Sequence, residues 1–373
     1  MATPQSQGLP AHLTKAEFTD LTGWANEDQH KAVAAFRRFC ETTASFGSSG
    51  LPGYDAANLN ALCRLAAEPD VATPGGARRF FEGRFTAYRI ADPGFVTGYY
   101  EPEVAASRIR TDGFPVPLHR KPAGLEAIAA KTRPPDWPPE LSHGRRTGNG
   151  LSEMPDRAAI MAGALDDENL ELVWLADPVD AYFVHVQGSA RLRLTDGSVM
   201  RVGYAGKTGH AYTGIGRLLV ERGEGTPEDF TMAGLRSWLS GNPEKRDALF
   251  GENRSYIFFR EVLEAGPDDG PVGAAGLPLV AGRSLAVDSA HLPYGAFVFV
   301  EAGFKDPDKG EQTFSRLMIA DDTGSAIRGR SRGDIFTGSG NRAGEIAGDI
   351  RHKATFTLLI PDPVRPAPEP ATD

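Results

Sequence analysis

The stretch RLMIADDTGSAIRGRSRGDIFTGSGNRAGEIAG, residues Arg316–Gly348, alternates apolar runs with carboxylates and glycine-rich loops. The apolar run LMIA ends in Asp321 and Asp322, and a third carboxylate, Asp334, opens the next apolar run. Strands that end in acids beside flexible loops are typical of a functional site. Because Asp and Gly are also turn residues, the same spacing fits two turns without a function.

Short apolar runs separated by turns continue on both sides of this stretch. Such runs have the length and spacing of strands in a small β-barrel, and they cover residues 256–259, 277–280, 284–287, 297–300, 317–320 and 355–360. Residues 79–100 have the same character. We therefore predict a mainly β chain with helices, in which one barrel is built from both chain ends and the middle of the chain is inserted as a second domain.

Local patterns give further elements that the structure can test. Apolar spacing predicts helices over residues 15–46, 58–67 and 212–221. Thr226-Pro227 resembles a capped helix start and predicts a helix from Thr226 to about Ser240. Gly75-Gly76 breaks the chain, and the alternating residues 77–90 that follow predict a strand. Two further strands are predicted over residues 172–176 and 181–186.

Composition limits the function classes. The chain has 373 residues, 40% hydrophobic and 24% charged, which is room for two or three globular domains. The net charge is −9 and no long Lys/Arg run exists, which argues against a nucleic-acid partner. No run approaches the ~20 apolar residues of a membrane span.

The two cysteines, Cys40 and Cys63, lie in helix-like segments. They fit either two small buried hydrophobic residues or a single disulfide. We expect no metal or other cofactor, since the sequence has no CxxC and no Cys/His cluster. The opening MATPQSQGLPAHLT has no basic-then-apolar pattern, so either the protein is not exported or a leader has been removed.

Three aspartates in the predicted barrel, Asp288, Asp322 and Asp334, are candidates for acid catalysis. Glycosidic cleavage needs a protonated acid at the leaving oxygen and commonly a second carboxylate. Nearby arginines would keep an aspartate ionised, whereas burial or a neighbouring carboxylate would raise its pKa. The sequence leaves open which effect dominates; the arginines concerned are Arg328, Arg330, Arg332 and Arg342.

Aromatic and histidine residues have two interpretations each. Tyr99 and Tyr100 stand before Glu101-Pro102, where their rings could stack on sugars or simply close a core strand. His210 and His291 are either bases or structural residues.

Several motifs, in order over about residues 80–360, together resemble the membrane-bound lytic murein transglycosylase A (MltA) family with its C-terminal three-aspartate (3D) domain. The motifs are Gly98–Tyr100, Val186–Ser189, Tyr204–Tyr212, Asn253–Phe259, Ser284–Asp288, Ala320–Ile327 and Gly333–Gly338.

The resemblance implies a double-psi β-barrel domain, with residues 1–103 as N-terminal helices and the first part of the barrel and residues 251–373 as its remainder. Residues 104–250 would be an inserted, smaller β-rich and barrel-like domain that binds the substrate, with a glycan groove between the two domains. The implied partner is the peptidoglycan glycan strand, cut by a monomer in the periplasm or cell envelope. The family is usually a lipoprotein of the outer membrane, and no lipidation Cys is visible here.

The implied reaction cleaves the β-1,4 bond between N-acetylmuramic acid and N-acetylglucosamine without water, leaving a 1,6-anhydro end. The family's catalytic aspartate falls on Asp334, which would act first as acid and then as base. Asp322 and Asp288 match its other barrel aspartates and would raise the pKa of Asp334 and organise the site. The implied sugar-binding residues are Tyr99, Tyr100, Glu101, Gln187, Gly188, Ser189, Lys207 and His210. Glu101 departs from the small hydroxyl residue expected there.

Two other functions remain open from the sequence. A hydrolase could use Asp322 and Asp334 as acid and base with water, which would leave reducing ends. A non-catalytic glycan-binding protein would use the aspartates only as hydrogen-bond acceptors for sugar hydroxyls. We rank the lytic transglycosylase first, because the motifs match throughout the insert and Asp334 opens a strand in an apolar context.

Overall fold

The computed structural model describes residues 9–41, 51–129, 131, 133–148, 150–266 and 269–363. The strands are β1 (Leu13–Ala16), β2 (Phe85–Ile90), β3 (Gly94–Glu101), β4 (Glu103–Ser107), β5 (Val116–His119), β6 (Leu125–Ala127), β7 (His143–Thr147), β8 (Gly150–Ser152), β9 (Glu171–Leu175), β10 (Ser189–Leu194), β11 (Val199–Lys207), β12 (Ile257–Glu261), β13 (Ser284–Val287), β14 (Phe297–Lys305), β15 (Thr313–Asp322), β16 (Arg332–Ser339) and β17 (Arg351–Pro361). The α-helices are α1 (Gln29–Cys40), α2 (Ala56–Ala66), α3 (Pro74–Arg84), α4 (Arg157–Met161), α5 (Pro178–Gln187), α6 (Ile215–Glu221), α7 (Met232–Gly241), α8 (Pro243–Glu252) and α9 (Asn341–Asp349).

The chain divides into two compact units. The first unit contains the residues up to Gly98, Val272–Thr337 and the residues from Ile350 onward. The second unit contains Tyr99–Pro271 and Gly338–Asp349. Within the described parts of the chain, no helix has the length and apolarity to cross a membrane.

The first unit is built on an eight-stranded sheet in the order β1-β2-β17-β14-β15-β13-β16-β3. Because β17 also pairs with β3, six of the strands close into a ring, β17-β14-β15-β13-β16-β3. The prediction of a mainly β chain with helices, and of a barrel that draws strands from both chain ends, is confirmed. The double-psi crossing of its strands stays a prediction.

Aromatic side chains fill the space between this sheet and helices α1 to α3. The ring of Phe297 on β14 lies 4.9 Å from Phe81 on α3 and 5.0 Å from Phe36 on α1. All three side chains are fully buried, which is worth roughly 2–3 kcal/mol each. A disulfide between Cys40 and Cys63 joins α1 to α2. Of the two interpretations of these cysteines, the single disulfide is therefore the right one.

The second unit is built on a six-stranded sheet in the order β12-β11-β10-β4-β9-β5. A bridge between Arg120, just after β5, and Phe259 on β12 brings the two edge strands together. Apolar side chains of the sheet form its core with Ala181 and Val184 of α5. A small sheet, β6-β7-β8, and helices α4 to α9 complete the unit.

The predicted strand over residues 77–90 is wrong in its first half, since α3 runs to Arg84 and only β2 is extended. Thr73 caps this helix by accepting a hydrogen bond from the Gly76 N–H at 3.0 Å, and Pro74 occupies its first position. Gly76 is required by close packing, because a Cβ there would lie 1.9 Å from the Asp70 carbonyl oxygen.

The predicted strand over residues 181–186 is the helix α5. Asp177 accepts a hydrogen bond from the Val179 N–H at 2.7 Å, and Pro178 begins the helix. Gly188 ends it in the left-handed conformation, with φ of 79°, which glycine adopts without a steric penalty. These end signals outweigh the strand preference of the aromatic and β-branched residues between them.

Three predicted helices have different bounds. The helix predicted over residues 15–46 is the end of β1, two short 3-10 helices (Phe18–Asp20 and Trp24–Asn26) and α1, and its part beyond Glu41 lies outside the described residues. The helix predicted from Thr226 begins only at Met232, because the side chain of Asp229 accepts hydrogen bonds from Thr226 and closes a turn instead. The helix predicted from Tyr212 begins at Ile215.

Candidate active site

The three predicted aspartates come from three neighbouring strands of the first unit. Asp334 on β16 pairs with Ala286 on β13, and Ala286 pairs in turn with Asp322 on β15. Asp288 directly follows β13. The β13–β15 register shifts at this point, so that Asp321 is an extra residue of the kind found in a β-bulge. The small Ala286 side chain therefore separates two carboxylates in one row of the sheet.

Asp334 is half-buried and its Oδ1 accepts a hydrogen bond of 2.5 Å from the Thr97 hydroxyl on β3. Thr97 in turn accepts a hydrogen bond of 2.7 Å from Arg332, whose guanidinium lies over the Phe95 ring. Burial raises the pKa of Asp334 to about 6, against the opposing effects of Thr97 and Arg332 and with some help from the charge of Asp322. The effect of burial on the pKa of Asp334 is thus larger than that of Arg332. The sequence alone could not decide between these two effects.

Asp322 is half-buried and its Oδ1 accepts a hydrogen bond of 2.9 Å from the Ala274 N–H. Its negative charge acts on two neighbouring groups of the same unit. It contributes to the raised pKa of Asp334, and after burial it is the next largest cause of the raised pKa of Tyr294. Asp322 therefore both anchors the segment before β13 and favours the protonated form of Asp334.

Asp288 is 6% exposed and lies in a polar environment. Its carboxylate accepts hydrogen bonds from the N–H groups of Gly329 at 2.9 Å and Ala290 at 3.2 Å, and Arg328 lies 3.6 Å away. Although burial acts in the opposite direction, these hydrogen bonds and Arg328 lower the pKa of Asp288. Asp288 is thus held ionised, ties the loop before β16 to the end of β13, and is unsuited to donate a proton.

Asp321 differs from its neighbour Asp322. It is 4% exposed, its Oδ2 accepts a hydrogen bond of 2.6 Å from the Ser284 hydroxyl, and burial raises its pKa far above the usual range. Burial therefore favours the neutral form of Asp321 and keeps its carboxyl group away from solvent.

In the second unit, Tyr99 is half-buried, whereas Tyr100 and Glu101 are buried. The Tyr100 ring packs against Ala343 and Ala347 of α9. The Glu101 carboxylate is fully buried between Arg191 and Arg201, each with its Nε 2.9 Å away. Ser339 also donates a hydrogen bond of 2.7 Å to this carboxylate. The prediction that Glu101 contacts sugar is corrected accordingly, because its carboxylate is inaccessible and held by two arginines.

The remaining predicted sugar-binding residues lie at element ends of the second unit. Gln187 ends α5 and its side-chain oxygen accepts a hydrogen bond of 3.0 Å from the Tyr100 N–H. Gly188 and Ser189 follow it, and Ser189 begins β10. Lys207 ends β11 and is half-buried.

His210 is 5% exposed, and its Nε2–H donates a hydrogen bond of 2.8 Å to the Met154 carbonyl oxygen. This contact supports a structural role for His210. His291, named as an alternative base, lies 4.0 Å from Asp288. Among the residues that the structure describes, no group of three or more His, Cys, Asp or Glu side chains is arranged to hold a metal ion.

Thr97 is the main residue that the sequence did not single out. A threonine inside a strand carries no local functional signal, and its contact with Asp334 joins residues 237 positions apart. Arg332 was named only as one of four arginines, and the structure identifies it as the one that contacts Thr97.

Comparison with known proteins gives matches over both units. Residues 95–260 match the MltA specific insert domain, and residues 283–360 match the 3D domain. Membrane-bound lytic murein transglycosylase A of Escherichia coli (strain K12) is 37% identical over 212 residues, which cover 55% of this chain. The matched stretch spans 56%, or about half, of that curated relative's length.

Solved structures match over more of the chain. A membrane-bound lytic murein transglycosylase from Agrobacterium tumefaciens is 42% identical with a TM-score of 0.85, covering 94% of this chain and 97% of that chain. Escherichia coli MltA with bound chitohexaose is 26% identical with a TM-score of 0.71, covering 97% of this chain and 100% of that chain. With such identity to the Agrobacterium structure over nearly its whole length, the chain belongs to the MltA family of lytic murein transglycosylases.

Proposed function

We propose that this protein is a peptidoglycan lytic transglycosylase that cuts between N-acetylmuramic acid and N-acetylglucosamine and leaves a 1,6-anhydro end. The observation that carries the proposal is Asp334, a half-buried carboxyl group whose pKa is raised to about 6. A general acid must be protonated near the working pH, and an ordinary surface aspartate is not. Membership of the MltA family supports the choice of substrate.

In this mechanism Asp334 acts twice. Its protonated carboxyl group gives the proton to the leaving glycosidic oxygen, and the resulting carboxylate then takes the proton from the C6 hydroxyl of the muramic acid. That hydroxyl attacks its own anomeric carbon, so an intramolecular nucleophile replaces water and gains from proximity. The Thr97 hydroxyl holds Oδ1, and no hydrogen bond from the described residues reaches Oδ2, which suits Oδ2 for the proton transfer.

The other two aspartates have supporting roles in the proposal. Asp322 favours the protonated form of Asp334 through its charge. Asp288 holds the loop that precedes β16 through the Gly329 N–H. Neither needs to donate a proton.

We propose that residues of the second unit bind the glycan strand. The half-buried side chains of Tyr99 and Lys207 are the best placed to contact sugars directly, together with the open backbone at Gly188. Ser189 is buried at the start of β10 and supports this surface instead. The hydrogen bond from the Tyr100 N–H to the Gln187 side chain holds that surface in place. The hydrogen bond from His210 to the Met154 carbonyl oxygen has the same effect. The chitohexaose bound in the Escherichia coli relative supports a glycan ligand.

The same proposal places the protein in the cell envelope, acting as a monomer in the periplasm and associated with the outer membrane. The disulfide between Cys40 and Cys63 supports an oxidising compartment, because such bonds are rare in the cytosol.

The test is mass spectrometry of the soluble products released from purified peptidoglycan. Products that end in 1,6-anhydromuramic acid are expected. Reducing ends would contradict the proposal and indicate a hydrolase that uses water. Sacculi that are bound but not cut would also contradict it and indicate a glycan-binding protein.

A further inference from the structure

A cavity of about 810 Å³ lies wholly within the second unit and contains none of the aspartates discussed above. It is bounded by strands β5 and β9 and by helices α4, α5 and α8. Apolar and aromatic surfaces make up much of its wall, including Trp174, Tyr182, Phe250 and Tyr256. A concave, largely apolar pocket with a few converging polar groups is the usual form of a small-molecule site.

The most unusual residue of the wall is Arg157, which begins α4 and is 4% exposed. Its Nε and Nη2 donate hydrogen bonds to the backbone oxygens of Asn253 at 3.0 Å and Ser255 at 2.6 Å. Its guanidinium lies 5.1 Å from the ring centre of Tyr182 and 5.2 Å from that of Tyr256. No carboxylate of the described residues lies within ion-pair distance of it. A buried charge without a counter-ion is unfavourable, and a bound anion would offset that cost.

Two histidines of the cavity wall favour their neutral form and can therefore add hydrogen-bond donors without adding charge. His185 is 6% exposed, and its Nδ1 accepts a hydrogen bond of 3.2 Å from the Ile257 N–H, so the proton of the neutral ring is on Nε2. His119 is 4% exposed, and its Nδ1 lies 2.7 Å from the Tyr256 hydroxyl. Burial lowers the pKa of both rings.

We propose that this cavity binds a small organic carboxylate, with the carboxylate on Arg157 and the apolar part of the molecule against the aromatic wall. A planar guanidinium matches a carboxylate in shape. Apart from Arg157, the lining contains three acids, Asp166, Glu171 and Asp247, against two arginines, Arg110 and Arg246. Because these charges leave a small negative excess, an anion with one charge fits the cavity better than one with several, such as a phosphate. This inference goes beyond the proposed glycan cleavage and does not depend on it.

The carboxylate has two possible sources, the C-terminus of a peptide or a free organic acid. Isothermal titration calorimetry on the whole chain distinguishes them with N-acetyl-D-alanyl-D-alanine and benzoate as probes. Benzamide, which has the shape of benzoate without its charge, is the control. Binding of either acid, with benzamide at least about tenfold weaker, supports the proposal, and the acid that binds identifies the source. If neither acid binds up to about 10 mM, or if benzamide binds as well as benzoate, the proposal is wrong.

Two variants locate the site. Arg157→Gln should weaken binding about 10- to 100-fold, the effect of losing a charge-assisted hydrogen bond. Arg157 also holds the segment at Asn253 in place, so Arg157→Gln can weaken binding by disturbing the fold. A second variant therefore tests the cavity without changing Arg157. Met161 lines the cavity and is 45% exposed, so Met161→Trp should obstruct the cavity and weaken binding about tenfold, whereas Met161→Leu should not. Binding that is unchanged in Met161→Trp would contradict the assignment of the ligand to this cavity.

Discussion

Asp334 and Asp322 stand on either side of Ala286 in one row of three hydrogen-bonded strands. The negative charge of Asp322 opposes ionisation of Asp334 and adds to the larger effect of burial. The sheet register therefore couples the protonation of the proposed acid to a second carboxylate that need not react.

Asp322→Asn tests this coupling. Removing the charge should lower the pKa of Asp334, so the fall in kcat/KM with rising pH, expected near pH 6 in the wild type, should begin a few tenths to about one pH unit lower. The measurement is the pH profile of peptidoglycan cleavage. Glu311→Gln, a change of charge at an exposed position of the same unit, is the matched control. A profile that moves to higher pH, or moves equally in the control, would contradict the coupling.

Asp334→Asn should make the protein more stable at alkaline pH. The fold favours the neutral form of Asp334, so its contribution to stability is complete below the usual aspartate pKa and is lost as pH rises to about 6. At pH 8 the ionised wild-type group costs at most roughly 3 kcal/mol, which the amide removes. Urea unfolding at pH 8 and pH 4 measures the difference, which should be small at pH 4.

Asp288→Asn is the opposite case, because the pKa of Asp288 is lowered. Its stabilising effect is present above the usual aspartate pKa, so this variant should be less stable at pH 8 by about 1–3 kcal/mol. If both variants changed stability at pH 8 in the same direction, the assigned environments of the two carboxylates would be wrong.

Thr97→Val tests the hydrogen bond to Asp334. Without the hydroxyl, the ionised form of Asp334 loses a donor, so its pKa should rise and the alkaline fall in activity should move to higher pH. Turnover at low pH should drop about tenfold, since Asp334 and Arg332 both lose the group that orients them. Thr97→Ser keeps the hydroxyl and should retain the wild-type profile. A Thr97→Val profile identical to that of Thr97→Ser would exclude this role.

Glu101→Gln tests the buried ion cluster of the second unit. Two arginines would lose their shared counter-charge, which should cost about 3–5 kcal/mol in the free energy of unfolding. Glu103→Gln, two residues away, removes the partner of the exposed Arg193 and should cost less than about 1 kcal/mol. Equal effects in chemical denaturation would show that Glu101 is not the centre of a buried cluster.

The sequence was sufficient to identify most strand-forming runs of the barrel, because they are local patterns, although residues 277–280 form only an isolated bridge at Pro278. The same local patterns indicate the three candidate aspartates, whose roles stay a prediction. The sequence could not show that Thr97 contacts Asp334 or that Glu101 is buried by Arg191 and Arg201, since those contacts join distant segments. The errors at α3 and α5 have a local cause. In both, a capping residue followed by proline, Thr73-Pro74 and Asp177-Pro178, starts a helix through residues that otherwise favour strands.

The most direct test of the central claim compares Asp334→Asn with Asp321→Asn in the release of 1,6-anhydromuramic ends from purified peptidoglycan, with binding to sacculi measured in parallel. Asp321 is buried and accepts a hydrogen bond from Ser284, which keeps it away from the substrate, so its amide variant should cleave nearly as the wild type does. Asp334→Asn should bind sacculi but lose at least about a thousandfold in cleavage, because an amide cannot donate and recapture the proton. Retained cleavage in Asp334→Asn would contradict the assignment of Asp334 as the acid.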